Sequence, residues 1–237
     1  MNPSIFKAYD IRGVYPSDID EQAIYNIGRA IVQHFNLKKI AVGKDIRNSS
    51  DSMEKNLVKG LTDQGADVVK IGLATTPLVY FSSSHLDVDA SLMITASHNP
   101  AEYNGLKICL KNAIPVGAGS GMEEIKELSL NGVFGEAAET GKVREDESIK
   151  EKYFSYVAGF YNPTGKKRKL VIDFANAMGI MDKEIYKNFS DELEIVYLFD
   201  EYDGNFPNHE ANPEELENMQ DLITKVKEVN ANPLILW

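Results

Sequence analysis

The chain has 237 residues, 43% of them apolar and 26% charged, and a formal net charge of -11. That is enough for one large domain or two smaller ones, each with its own core. The acidic balance argues against nucleic acid or an anionic membrane as partner unless a local basic patch overrides it, and leaves an anionic small substrate open. No run of about 18 apolar residues offers a membrane span, and Met1-Asn2-Pro3-Ser4-Ile5-Phe6-Lys7 has no apolar signal core. The single cysteine, Cys109, cannot close an internal disulfide and reads as a small apolar residue buried in a strand. These features predict a cytoplasmic protein.

The elements alternate short β-rich runs with longer amphipathic ones. Lys39–Gly43 reads as a strand, and Ser49–Gln64 as a helix with Gly65 just past its end. Asp67–Gly72 is the next strand. Thr75-Thr76-Pro77 opens another helix, with a Thr cap and Pro in the first turn. Ser91–Thr95 is a third strand, apolar enough for a sheet covered on both faces. Asn104-Gly105 reads as a tight turn into a strand that carries Lys107. The segment 135–146 is rich in Gly, Glu and Ala and lacks apolar periodicity, which places a domain boundary near Glu145.

Beyond it, Ser148–Phe160 reads as a helix with Tyr153, Tyr156, Val157 and Phe160 on one face. Leu170–Phe174 is a strand, Met178–Ser190 a helix and Glu194–Phe199 a strand. Asn212-Pro213 opens a long helix to about Val229, and Pro233–Trp237 is the start of a further strand. The pattern predicts an α/β chain of two consecutive three-layer α/β/α domains with mixed sheets, residues 1–145 and 146–237, the second incomplete.

Three segments carry chemistry. Thr95-Ala96-Ser97-His98-Asn99-Pro100 follows a strand and sets a hydroxyl beside an imidazole, with the ammonium of Lys107 a few residues on. Active groups of α/β proteins sit at such carboxyl ends, and this set can do nucleophilic and acid–base work. A capping Ser-His pair in a polar loop is an equal reading from spacing alone. Phe6-Lys7-Ala8-Tyr9-Asp10-Ile11-Arg12-Gly13 offers Arg12, whose fork suits a phosphate, or a structural Arg paired with Asp10. Val42-Gly43-Lys44-Asp45-Ile46-Arg47-Asn48-Ser49-Ser50 sets Asp45 and Arg47 just past a strand end, or a loop ion pair with a helix cap at Ser49 or Ser50.

Taken in chain order, Tyr9-Asp10-Ile11-Arg12-Gly13, then Gly43-Lys44-Asp45-Ile46-Arg47, then Thr95–Pro100 followed by Asn104-Gly105-Leu106-Lys107, the segments resemble the α-D-phosphohexomutase family, over about Phe6–Ala231. The opening is most similar to the phosphomannomutase/phosphoglucomutase branch; phosphoglucosamine mutases usually open with a Thr-Asp-Gly-Ile-Arg-Gly type run. The resemblance implies that Ser97 carries a phosphoryl group and exchanges it with a hexose phosphate through a bisphosphorylated sugar. It implies that His98 and Lys107 move protons and that Arg12, aided by Tyr9, holds phosphoryl oxygens. Asp45 and Arg47 would support the loop, with Asn99 and Asn104 in the phosphate-binding set. A glucose bisphosphate-type activator and Mg²⁺ are implied too, the metal reaching Ser97 through its phosphate.

The family's Asp-Gly-Asp-x-Asp-Arg metal loop and its third and fourth domains have no counterpart after Ala231. This predicts a frameshifted or truncated product or a fragment. Mg²⁺ would be weakly bound or absent, and turnover poor or nil. Self-association is expected through the incomplete second domain. A non-catalytic phosphosugar-binding remnant and a phosphoglucosamine mutase fragment remain alternatives.

Three other segments look functional but read otherwise. Gly117-Ala118-Gly119-Ser120-Gly121 lacks the strand–loop–helix setting of a nucleotide cradle and reads as a connecting loop. Lys166-Lys167-Arg168-Lys169 is a short solvated run. Tyr202-Asp203-Gly204-Asn205-Phe206-Pro207 lacks metal-loop spacing and, with Asn208-His209, resembles a second-domain segment of the same family.

Overall fold

The computed structural model describes residues 1–231 and 234–236. It divides into two compact units. One comprises Met1–Ser97 with Glu102–Ile149, the other His98–Ala101 with Lys150–Trp237.

The first unit runs β1 (Ile11–Val14), α1 (Glu21–Phe35), β2 (Lys39–Lys44), α2 (Ser50–Asp63), β3 (Asp67–Leu73), α3 (Thr76–His85), β4 (Ala90–Ile94), β5 (Tyr103–Leu110), β6 (Ile114–Pro115), α4 (Met122–Asn131) and β7 (Val143–Glu145). Its sheet has the order β1-β5-β4-β2-β3-β7, with β6 on β5. The β2, β3, β4 and β7 strands pair in parallel, while β5 runs antiparallel to β1, β4 and β6. Alternation along β2 feeds both faces. Ile40 and Val42 join Ile24, Ile27, Ile31, Leu57 and Leu61 in the main core, whereas Gly43 faces Val79 of α3. The sheet therefore lies between α1 and α2 on one face and α3 on the other.

The helix ends follow from their residues. Thr75 accepts from Leu78 N and Pro77 sits in the first turn of α3. Asp20 caps α1 through Ala23 N at 2.7 Å. At α2 the expected hydroxyl cap is absent, because Ser49 makes no side-chain cap bond. Its hydroxyl instead accepts from Asn104.

Asn104-Gly105 is not a turn. Both residues lie inside β5, with Gly13↔Asn104 and Arg12↔Gly105 in the ladder to β1. A Cβ at Gly105 would stand 2.0 Å from the Ile11 carbonyl oxygen, so glycine is required there by the close approach of β1.

The second unit contains α5 (Ser148–Ala158) from Lys150 onward, β8 (Arg168–Asp173), α6 (Lys183–Tyr186), β9 (Leu193–Leu198), α7 (Gln220–Val229) and β10 (Leu234–Leu236). The three strands form a parallel sheet ordered β10-β8-β9. Phe174 is fully buried and stacks on Tyr197 at 5.5 Å between ring centroids.

Several expectations change here. The helix from Met178 breaks into 3₁₀ turns on either side of the four-residue α6. The helix expected from Asn212-Pro213 starts only at Gln220, after a 3₁₀ turn at Leu216–Met219. Asn212 is held in a turn instead, its Oδ1 accepting from Glu214 N and its carbonyl from Asn218 Nδ2. On α5 only Ile149 is buried, and Tyr156 and Phe160 are exposed. The strand expected at Pro233–Trp237 is described at Leu234–Leu236; Pro233 and Trp237 lie outside the described residues.

Candidate active site

The β4 strand ends at Ile94, and Thr95 continues beside β5 through Thr95 N to Gly105 O at 3.1 Å. Ser97 follows in the left-handed region (φ 57°), with its side chain exposed. Such a backbone costs a non-glycine residue about 1–3 kcal/mol and needs support. Thr95 Oγ1 accepts from Ser97 N at 3.0 Å, and Arg47 Nη2 donates to Ser97 O at 2.9 Å.

Arg47 is the centre of this support. Its other fork nitrogen donates to Tyr103 O at 3.1 Å, and Nε donates to Asp45 Oδ2 at 3.2 Å. Asp45 is fixed in turn: Oδ1 accepts from Arg47 N (3.1 Å) and Ser50 Oγ (2.6 Å), and its own N–H donates to Ile94 O (3.0 Å). Asn104 Nδ2 donates to Ser49 and Ser50 hydroxyls at 2.8 and 3.0 Å, tying β5 to the start of α2. Burial pulls the Arg47 guanidinium below its usual pKa, and the charge and hydrogen bond of Asp45 act against that fall. The result is a buried polar network under an exposed serine.

A second grouping lies on β1 and β5. The ladder Ile11↔Leu106 and Arg12↔Gly105, extended by one residue, sets Asp10 opposite Lys107. Lys107 Nζ reaches Asp10 Oδ2 at 3.1 Å, and Arg12 Nε stands 3.5 Å from Asp10 Oδ1. Ile11 and Leu106 point into the main core. By alternation Arg12 and Lys107 therefore share the opposite face, that of α3.

Ser97, Asp45, Arg47 and Asn104 are thus joined in one network, and Arg12 and Lys107 through Asp10 in another. Tyr9 is 86% exposed, and His98 is exposed; among the described residues neither joins the networks. Asn99 is half-buried. Asp10 was read in the sequence only as a possible partner of Arg12. The available signal was the two-residue spacing, which sets both on one face of an extended segment. Thr95, Ser49 and Ser50 carried no comparable signal.

The second unit has its own polar cluster at the end of β8. Asp173 is fully buried, and its Oδ2 lies 3.1 Å from His209 Nε2. His209 Nδ1 contacts the Glu210 carbonyl at 2.8 Å, and a carbonyl can only accept, so Nδ1 carries hydrogen. The Nε2–Oδ2 contact then needs a proton of its own, on one atom or the other. Burial raises the Asp173 carboxyl above its usual pKa, and the hydrogen bonds from Ala175 N and His209 oppose the rise. Asn208 Nδ2 donates to Asn176 Oδ1, which anchors the same segment.

Comparison with known proteins follows the same division. Residues 3–134 match the sequence profile of phosphoglucomutase/phosphomannomutase alpha/beta/alpha domain I. Residues 151–237 match that of domain II. The chain belongs to the phosphoglucomutase/phosphomannomutase family. It is 37% identical over 235 residues to a phosphomannomutase of Escherichia coli, covering 96% of this chain and 51% of that protein. It is 37% identical over 234 residues to a phosphomannomutase/phosphoglucomutase of Pseudomonas putida, covering 97% and 49%. A crystal structure of a phosphoglucomutase/phosphomannomutase family protein from Burkholderia thailandensis superposes with a TM-score of 0.86 at 32% identity, over 98% of this chain and 51% of that one. A Thermus thermophilus structure at 22% identity shares the fold, with a TM-score of 0.84. The chain spans about half the length of the curated relatives it matches.

Proposed function

We propose that this chain carries the phosphoserine half of a phosphohexomutase of the phosphomannomutase/phosphoglucomutase type, interconverting hexose 1-phosphate and 6-phosphate. The observation that carries this reading is the Arg47 Nη2 bond to Ser97 O, which supports an exposed serine in a left-handed turn just past the end of β4. In the first step the Oγ–P bond of phosphorylated Ser97 breaks and a P–O bond to a free sugar hydroxyl forms; the hydroxyl proton leaves to a base, and Ser97 Oγ regains one. The bisphosphorylated sugar turns over and returns its other phosphoryl group to Ser97, with the proton transfers reversed. His98 and Lys107 are the proton carriers in this reading. Arg12, with Tyr9, holds phosphoryl oxygens; Asp45, Arg47 and Asn104 keep the loop rigid, and Asn99 lines it. Phosphoryl transfer asks mainly for such positioning and charge stabilisation.

Mg²⁺ and a glucose bisphosphate-type activator belong to the same proposal. Among the described residues no group of three His, Cys, Asp or Glu side chains could hold a metal ion. The same proposal includes weak or no steady turnover by the 237 residues alone, which a coupled assay with glucose 1-phosphate and glucose 1,6-bisphosphate measures. The domain boundary near Glu145, cytoplasmic residence and a hexose phosphate partner stand on the same footing. So does self-association, for which exposed Tyr156 and Phe160 offer apolar surface and which sedimentation as a monomer would refute. Among the described residues no helix is long and apolar enough to cross a membrane.

Intact-mass analysis after incubation with glucose 1,6-bisphosphate tests the central claim. The native chain should gain one phosphate and Ser97→Ala none. A native chain that stays unmodified, or a Ser97→Ala chain that gains the same mass, refutes it.

A further inference from the structure

We infer that Asp10 is a positioning residue that locks Arg12 and Lys107 into one anion-holding pair on the α3 face of the first sheet. The phosphoryl identity of the anion rests on the function proposed above; the pairing rests on geometry.

The carboxylate and the two cations differ in their access to solvent. Asp10 is only 6% exposed, while the side chains of Arg12 and Lys107 keep 27% and 21%. Asp10 is therefore the most deeply buried of the three, and both cationic side chains keep some access to solvent. A surface ion pair formed for its own sake would leave all three groups in water, where it is worth little. A buried carboxylate, in contrast, needs its cations in place. Each of its oxygens meets a different one: Oδ2 meets Lys107 Nζ at 3.1 Å, and Oδ1 faces Arg12 Nε at 3.5 Å.

The two contacts are not equivalent. The Lys107 contact is a hydrogen bond. The Oδ1 atom is buried and makes no hydrogen bond, so the Arg12 contact retains slack. Hydrogen bonds of this kind are often long in a ligand-free site and tighten when the ligand arrives. An anion between the heads would favour an Arg12 that closes onto Oδ1. The β1–β5 ladder fixes the spacing of the two stems, and the missing Cβ at Gly105 lets the strands approach closely enough. Lys107 gives one of its three protons to Asp10 and keeps two for a ligand.

The test uses the full chain and inorganic phosphate, followed by NMR at the Arg12 and Lys107 side-chain nitrogens. Phosphate should perturb both signals together in the native chain. Asp10→Asn should weaken binding about tenfold at both, the scale on which misplaced groups act, with an unchanged melting temperature. In a Lys107→Met background the same change should cost clearly less than about tenfold, because only the Arg12 arm is left for Asp10 to act through. If Asp10→Asn does not fold, Asp10→Glu replaces it: the charge stays and the carboxylate moves by one methylene, so binding should still weaken. Native-like phosphate binding by the variant that folds, no phosphate effect on either nitrogen of the native chain, or full additivity with Lys107→Met overturns the inference. Phosphate loading of Ser97, recorded in parallel, separates the two claims. Asp10-dependent phosphate binding without Ser97 modification defeats the mutase reading and leaves this one standing.

Discussion

Replacing Arg47 by Met should loosen the Ser97 turn more than any other single change beneath it. The Arg47 side chain is 1% exposed, and its bonds include one to the Asp45 carboxylate and one each to the Ser97 and Tyr103 carbonyls. Methionine fills much of the volume but leaves Asp45 as a buried carboxylate without its cation, which typically costs about 3–5 kcal/mol. Ser97 O and Tyr103 O also lose charged donors worth about 1.5–3 kcal/mol each, though water can reach the exposed turn and recover part of that. Asp45 keeps its bonds from Ser50 Oγ and Arg47 N, which caps the loss. We therefore expect about 3–5 kcal/mol for Arg47→Met. Arg47→Lys should cost about half, since one ammonium cannot span three acceptors in fork geometry. Urea unfolding, together with hydrogen exchange at the Asp45, Thr95 and Ser97 amides, measures both effects. An Arg47→Met chain within about 1 kcal/mol of native stability would refute the network as the support of Ser97.

Gly105→Ala tests the β1–β5 approach. Its Cβ would fall 2.0 Å from Ile11 O and 3.0 Å from Arg12 Cα, so β1 must retreat. The expected loss is about 3 kcal/mol, from overpacking and broken ladder bonds, read as a lower melting temperature. A native melting temperature would contradict the close approach. Asp173→Asn tests the shared proton. The amide can donate to His209 Nε2 while Oδ1 still accepts from Ala175 N, so the variant should fold. A carboxyl raised on folding stabilises most below its ordinary value of 3.8 and loses that contribution as pH rises through the raised one. The native chain should therefore lose stability relative to Asp173→Asn across that rise. Urea midpoints that run parallel at every pH would refute it.

Short-range chemistry explains what the sequence made visible. The apolar runs of β2, β3 and β4 and the Thr75 cap with Pro77 depend on neighbours within a few residues, and they fold as read. The failures share a longer range. Asn104-Gly105 is a common turn pair, yet here the glycine answers a carbonyl more than ninety residues earlier in the chain. Tyr156 and Phe160 recur at helical spacing like a core stripe, but only contacts made by distant residues decide whether a stripe is buried. The start of α7 was drawn too early because the Asn212 turn competes with the helix through side-chain bonds to the backbone. In the candidate site, the residue types were legible, whereas the bond from Arg47 to Ser97 O spans 50 positions and no local pattern announces it.

Strand order is what converts scattered motifs into a site. Because β5 inserts antiparallel between β1 and β4, the first sheet runs β1-β5-β4-β2. The segment around Arg12, the strand bearing Lys107, the turn after β4 and the loop after β2 therefore lie side by side. Arg12, Lys107 and Arg47 gather there with the buried carboxylates of Asp10 and Asp45, and the exposed Glu102 adds its charge near Arg47. A chain of net charge -11 thus still sets the partly exposed cations Arg12 and Lys107 on the sheet that carries its exposed serine. Screening confines the repulsion of distant surface acids to about 10 Å at ordinary salt, so an approaching anion responds mainly to the nearby cations. For that reason the overall charge is compatible with the anionic substrate proposed.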